Sequence, residues 1–288
     1  MTSQPPPIAG VRRSFVDANG VRFHVTEAGP EDGRPVVALH GWPQHHYEWR
    51  DLLSDPPPGL RIIAPDLPGY GWSGPPQHRW HKDDVATDVF ALMDVLGLEK
   101  VLLVAHDWGA YAGYRMILRE PQRFDGYLAM NMAHPWQTPR VLLPNIWRLA
   151  YQVPLATFGV TLMQRTKLIE RLFALSSSVD PEAARIFAET FRTPVGARAG
   201  RDTYRTFLTR EIPQGARETE VRRATVPIRA LYGTGDIAVA RAMVDPATAN
   251  ADDYTLETTE ASHFVVDERP DLVRKKLIAL AEETARTS

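Results

Sequence analysis

Two kinds of apolar spacing alternate along the chain. Short, wholly apolar runs such as Pro35-Val-Val-Ala-Leu39 and Val101-Leu-Leu-Val-Ala105 read as strands buried on both faces. Between them, Val85, Val89, Leu92, Met93 and Leu96 recur at helical spacing and predict a helix over residues 82–96. The same reading predicts strands at 12–17, 21–27, 35–39, 61–66, 100–105 and 126–131, and a helix at 110–119. Asn19-Gly20, between the first two strands, is a tight-turn signal. The alternation stops near Ala133. From there to Ala224 the chain reads as helical and aromatic-rich, and Pro135 and Pro139 mark its start. Strands resume at 226–232 and 253–257, and a last helix covers 270–282.

Strands alternating with helices imply an α/β fold, a largely parallel sheet covered on both faces. Eight strands are expected. Residues 1–133 and 225–288 form the core, and residues 134–224 form a helical cap, or lid, inserted after the sixth strand.

Composition narrows the chemistry. Among 288 residues, 44% are apolar and 24% charged, as in ordinary globular proteins, and the formal net charge of −2 gives no reason to expect nucleic acid or an anionic membrane as partner. Cysteine is absent, which excludes disulfides, thiolate catalysis and cysteine–zinc sites. No apolar run approaches the ~18 residues of a membrane span. The start, Met-Thr-Ser-Gln-Pro-Pro-Pro, has no signal-peptide pattern, so a cytoplasmic location is expected. No His-Glu-x-x-His occurs, and neither a metal nor a cofactor is expected. Gly69-Tyr-Gly-Trp-Ser-Gly74 matches a dinucleotide fingerprint literally, but Pro75-Pro76 follows where a helix would have to begin.

The strand at 100–105 runs into His106-Asp107-Trp108-Gly109, a sharp turn of the kind that holds a nucleophile proud of a sheet. Hydrolases of this kind usually carry Ser at the middle of that turn; here it is Asp107. A carboxylate attacking carbon gives an alkyl ester, which suits epoxides and alkyl halides better than esters or amides. Asp236 in Gly233-Thr-Gly-Asp236 follows the seventh strand, and His263 follows the eighth. The order of nucleophile, acid and histidine fits a triad, with Asp236 orienting His263 and His263 activating water on an Asp107 ester. The backbone N–H groups of Trp42 and Trp108 are the expected oxyanion donors. His40, Trp42 and Trp108 are expected to contact substrate.

With these residues, the chain resembles the α/β-hydrolase fold enzymes, and within them the epoxide hydrolases, over residues 15–280. His40-Gly-Trp-Pro-Gln44 resembles that family's oxyanion motif, Asp66-Leu-Pro-Gly-Tyr-Gly-Trp-Ser73 its following loop, and Ala105-His-Asp-Trp-Gly109 its elbow, with Ala105 where Gly is more usual. The resemblance implies a small apolar epoxide and water as reactants, and a monomer or homodimer. It also implies two cap tyrosines that bind the ring oxygen. Tyr204 matches one; Trp147 and Tyr151, one helical turn apart, are alternatives for the other. A haloalkane dehalogenase would use the same Asp107, with the Trp108 indole on the halide, but Trp42 stands where those enzymes often carry Asn. A non-catalytic ligand-binding member of the fold is the distant alternative.

Overall fold

The computed structural model describes residues 4–174, 179–215 and 222–286. Eight strands form one sheet: β1 Arg12–Ala18, β2 Val21–Ala28, β3 Arg34–Leu39, β4 Leu60–Pro65, β5 Val101–His106, β6 Phe124–Met130, β7 Ile228–Gly233 and β8 Tyr254–Thr259. Their order is β1-β2-β4-β3-β5-β6-β7-β8. β1 pairs antiparallel with β2, and β2 antiparallel with β4; every other neighbouring pair is parallel. The hairpin turn is Asn19-Gly20, with φ of 47° and 77°. Both residues take the left-handed conformation that a primed turn demands.

β5 shows why the centre of the sheet reads as unbroken apolar sequence. Val101, Leu103 and Ala105 enter the core on one face, and Leu102 and Val104 enter the other. Fully burying each such Leu or Val is worth roughly 1.5–3 kcal/mol, so neither face tolerates a polar residue. The outer strand β1 is mostly exposed instead.

The helices follow in chain order: α1 Arg50–Ser54, α2 Lys82–Val95, α3 Asp107–Arg119, α4 Pro139–Asn145, α5 Gln152–Arg165, α6 Leu168–Phe173, α7 Pro181–Phe191, α8 Pro194–Thr206, α9 Ile212–Gly215, α10 Val265–Glu268 and α11 Pro270–Ala285. α2 and α3 pack on one face of the sheet, and α1 and α11 on the other. None of the described helices is long and apolar enough to cross a membrane. The helices α4 to α9 all lie between β6 and β7 and form a cap. Buried cap residues such as Leu155, Met163, Phe187 and Phe191 belong to the same apolar cluster as α2 and α3, so the cap is continuous with the core. Two cap helices start on explicit signals. Asp180 and Thr193 each accept a backbone N–H with their side chains, and Pro181 and Pro194 follow at the first helical position.

Several boundaries shift by a few residues from expectation. The helix expected from residue 110 begins at Asp107 itself, because the turn is the helix's first residue. The seventh strand begins at Ile228 instead of 226, since Pro227 has no N–H to give; its carbonyl accepts the Tyr127 N–H at 2.9 Å. Between α8 and α9 the chain widens into a π-helical turn, Phe207–Glu211, which periodicity did not signal.

Candidate active site

Asp107 directly follows β5 and opens α3 with φ +46°, the left-handed conformation that non-glycine residues seldom adopt. Close packing enforces it. A Cβ on Gly41 would stand 2.4 Å from the Asp107 Cβ, and one on Gly109 would stand 2.3 Å from the His40 carbonyl oxygen. The two loops therefore press together across β3 and β5. Asp107 is buried, and its two carboxylate oxygens have different surroundings. Oδ2 accepts the backbone N–H of Trp42 at 2.9 Å. Oδ1 lies 3.6 Å from Nε2 of His263.

His263 sits in the loop between β8 and α10. Its Nδ1–H donates to Oδ2 of Asp236 at 2.8 Å, so Nε2 faces Asp107. Burial alone would lower the imidazole's pKa, but the Asp236 and Asp107 carboxylates outweigh it and raise it well above the ordinary value. Asp236 is buried and opposed by desolvation, yet the His263 charge and its hydrogen bonds keep it ionised, below the usual carboxylate value. Its Oδ1 accepts the N–H groups of Ala238 and Val239 at 2.7 and 2.9 Å. Sequence reasoning missed one partner. Asn131, at the end of β6 with φ +45°, donates Nδ2–H to Asp236 Oδ2 at 2.8 Å and accepts the Gly233 N–H with Oδ1 at 3.2 Å. An Asn directly after an apolar strand was the available signal, since Asn tolerates this backbone better than most residues.

Asp107 and His263 open into a cavity of about 420 Å³ between sheet and cap. Its walls are largely apolar, with Leu155, Leu162, Leu168, Leu172 and Phe264 among them. Trp42, Tyr151 and Tyr204 also line it. The two tyrosine rings meet edge to face at 5.9 Å. Burial and the nearby Asp107 carboxylate push the Tyr151 phenol up from its ordinary pKa; burial and the Tyr151 phenol do the same to Tyr204, so both phenols stay protonated.

Three expected contacts fall elsewhere. Trp147 is 66% exposed with the Arg148 guanidinium on its ring, outside the cavity wall, which leaves Tyr151 as the cap partner of Tyr204. His40 is fully buried with both nitrogens occupied: Nε2 accepts the Leu67 N–H at 2.8 Å and Nδ1–H donates to the Gly41 carbonyl at 3.0 Å. Burial lowers its pKa to about 4, so it is a neutral brace for the loop and not a substrate contact. The Trp108 indole also lies outside the cavity wall, packed on the edges of Tyr204 and Phe207 at 5.6 and 4.9 Å. Its backbone N–H stands in the first turn of α3, where helix amides have no internal partner.

Behind the site lies a buried polar layer that the sequence did not announce. His106 Nε2–H donates to the His263 carbonyl at 2.9 Å, and His106 Nδ1 stands 3.4 Å from Glu48 Oε2. Burial pushes Glu48 up to about 7. Asp267 accepts from Gln44 at 2.7 Å and from Arg50 at 2.6 Å, tying the loop after β3 to α10.

His24, His46 and Asp66 are the one group among the described residues that brings metal-ligand atoms within 4.8 Å of each other. Hydrogen bonding accounts for it. The Asp66 carboxylate accepts from His24 Nδ1, His46 Nδ1 and the backbone N–H groups of His46 and Trp72. The glycine-rich loop that follows is wrapped around this carboxylate: a Cβ on Gly71 would meet Asp66 Oδ2 at 2.3 Å.

The chain is 29% identical to the soluble epoxide hydrolase of a Corynebacterium species over 274 residues, covering 88% of this chain and 92% of that protein. Over a shorter stretch of 134 residues, 46% of this chain and 43% of its counterpart, it is 36% identical to a haloalkane dehalogenase of Mesorhizobium japonicum. The solved structure of the epoxide hydrolase CorEH without ligand superposes with a TM-score of 0.80 at 24% identity, covering 94% of this chain and 98% of that one, a likeness of fold. Residues 34–270 match the family described as alpha/beta hydrolase fold, and the chain belongs to it.

Proposed function

We propose that the protein hydrolyses epoxides to vicinal diols through a covalent ester on Asp107. One observation carries the reading: a carboxylate with one oxygen held by the Trp42 N–H and the other facing His263 shares an apolar cavity with the paired phenols of Tyr151 and Tyr204. Tyr151 and Tyr204 bind the ring oxygen. Asp107 Oδ1 attacks a ring carbon, the carbon–oxygen bond breaks, and a phenol proton passes to the departing alkoxide.

The asymmetry of Asp107 suits both halves of the reaction. Oδ1, free of backbone donors, forms the new bond. Oδ2 then becomes the ester carbonyl oxygen, already hydrogen-bonded by Trp42, with the Trp108 N–H as second donor to the oxyanion. Ester formation also removes the negative charge that helps hold His263 protonated. The imidazole gives up its proton, which restores the phenol, and becomes the base for the second step. It then takes a proton from water as that water attacks the ester carbonyl carbon. Collapse frees the diol and the carboxylate, and His263 is again protonated. Asp236 holds the ring's orientation throughout.

The cavity's volume lies in the lower part of the range for small-molecule sites, ~300–1,000 Å³. With its leucine-rich wall, it fits an epoxide bearing one compact apolar group. A second reading, dehalogenation of haloalkanes by the same Asp107, is favoured by the Trp42 indole N–H, which is buried at the cavity wall without an acceptor. The paired phenols favour the epoxide. A parallel assay with styrene oxide, cyclohexene oxide and 1-haloalkanes tests the choice. Diol formation without halide release supports epoxide hydrolysis, and halide release without diol overturns it.

A further inference from the structure

Lys82 stands in the first turn of α2, yet its side chain is only 1% exposed. Its Nζ donates to the Thr203 carbonyl at 2.7 Å and lies 3.2 Å from Glu211 Oε1. It also sits 4.3 Å from the ring centre of Trp108 and 5.4 Å from that of Phe207. The same Glu211 oxygen accepts the Lys82 backbone N–H at 3.3 Å. Burying an ammonium costs several kcal/mol of hydration, so it persists only where its partners hold it in one geometry.

Those partners are placed in a telling way. Thr203 immediately precedes Tyr204, and Trp108 immediately follows Asp107. Phe207 and Glu211 bound the π-helical turn, a rare geometry often found at functional sites. The indole clasped by Lys82 in turn meets the Tyr204 ring edge to face at 5.6 Å. One cation therefore touches the turn of the carboxylate on the core and the segment of the phenol on the cap. Apolar contact is non-directional, whereas the ion pair, the carbonyl and the ring add contacts of defined geometry between cap and core.

We infer that Lys82 is a positioning residue, whose ammonium, paired with Glu211, fixes the cap segment of Tyr204 over the turn of Asp107. This rests on the reading of the site as an epoxide-opening centre. Tyr204 acts when the ring opens, whereas ester hydrolysis depends on His263, Asp236 and the backbone N–H groups of Trp42 and Trp108; Lys82 meets Trp108 only at its ring. The two steps are therefore expected to respond differently.

Stopped-flow single turnovers with styrene oxide separate them. Lys82→Met is expected to slow formation of the ester about tenfold or more, while hydrolysis of the ester changes less than about twofold. Since Lys82→Met leaves Glu211 buried and unpaired, the double variant Lys82→Met/Glu211→Gln removes both charges and carries the same expectation in a better-balanced fold. Glu211→Gln alone, which keeps the ammonium but loosens it, is expected to give a smaller loss in the same step. A role confined to folding would lower the burst amplitude or the melting temperature and leave the alkylation rate per active molecule unchanged. That result in the double variant overturns the inference, as does an equal fall in both steps. A wild-type protein that forms no ester on Asp107 instead overturns the reading of the site.

Discussion

Asn131 and His263 share one oxygen: both donate to Oδ2 of Asp236 at 2.8 Å. The acid that orients the imidazole is thereby fixed by a side chain from the neighbouring strand end. Asn131→Gly tests this without strain, because glycine accepts the backbone's φ of +45°. Losing a hydrogen bond to a charged group, worth about 1.5–3 kcal/mol, is expected to lower the rate of ester hydrolysis about tenfold. Asp236 is also expected to titrate higher. Rapid-quench measurement of the two steps across pH checks it; an unchanged hydrolysis rate would assign Asn131 to the backbone alone.

Replacing the base should divide the reaction. His263→Gln retains a hydrogen-bonding side chain but cannot take a proton from water. Ester formation is expected to persist and turnover to fall by about 10²–10⁴, the usual contribution of a general base. Intact-protein mass spectrometry after excess styrene oxide should show one adduct per chain, mapping to Asp107.

The phenols should govern the other half. Tyr151→Phe and Tyr204→Phe are each expected to slow ring opening about tenfold, and the double variant by about 10²–10⁴, because the hydroxyls act where negative charge develops. Binding of substrate should weaken less than ring opening slows. Trp147→Phe, altering an exposed ring outside the cavity, is expected to leave both steps unchanged.

These assignments differ in how readily the sequence disclosed them. Asp107 stood out because it follows a wholly apolar run that reads as a buried strand; Asp236 and His263 follow strand-like alternation, and chain order does the rest. The inner strands were legible for the same reason, β1 and β2 from the Asn19-Gly20 turn between them, and β7 and β8 from alternation. Trp147 and Tyr151 were not separable by spacing alone: a short 3-10 turn, Ile146–Leu149, lies between α4 and α5 and breaks the regular period that a helix-face argument assumes. His40 looked like a site residue because its motif is one, but both of its nitrogens are spent on backbone groups whose positions only the folded loops define. Glu48 and Lys82 are charged residues in segments that read as surface. Their burial depends on partners 58 and 129 residues away.

Glu48 gives a prediction about pH and stability. Its carboxyl is raised from 4.5 to about 7 by burial. A raised folded-state value means that its contribution is fully present below pH 4.5 and is lost as pH rises through about 7. Glu48→Gln removes this dependence. Denaturant unfolding is expected to show wild type losing on the order of 1–3 kcal/mol relative to Glu48→Gln between pH 4 and pH 8. A constant difference would show that the carboxyl titrates alike in the folded and the unfolded protein.

The central claim is that Asp107 itself becomes esterified and is freed by water attacking its carbonyl carbon. A single turnover in heavy-oxygen water, with enzyme in excess over styrene oxide, tests it most directly. The account predicts label in the Asp107 side chain by peptide mass spectrometry, and a first-turnover diol without label. Label in the diol with none in Asp107 would mean that water attacks the epoxide directly, and would contradict the account.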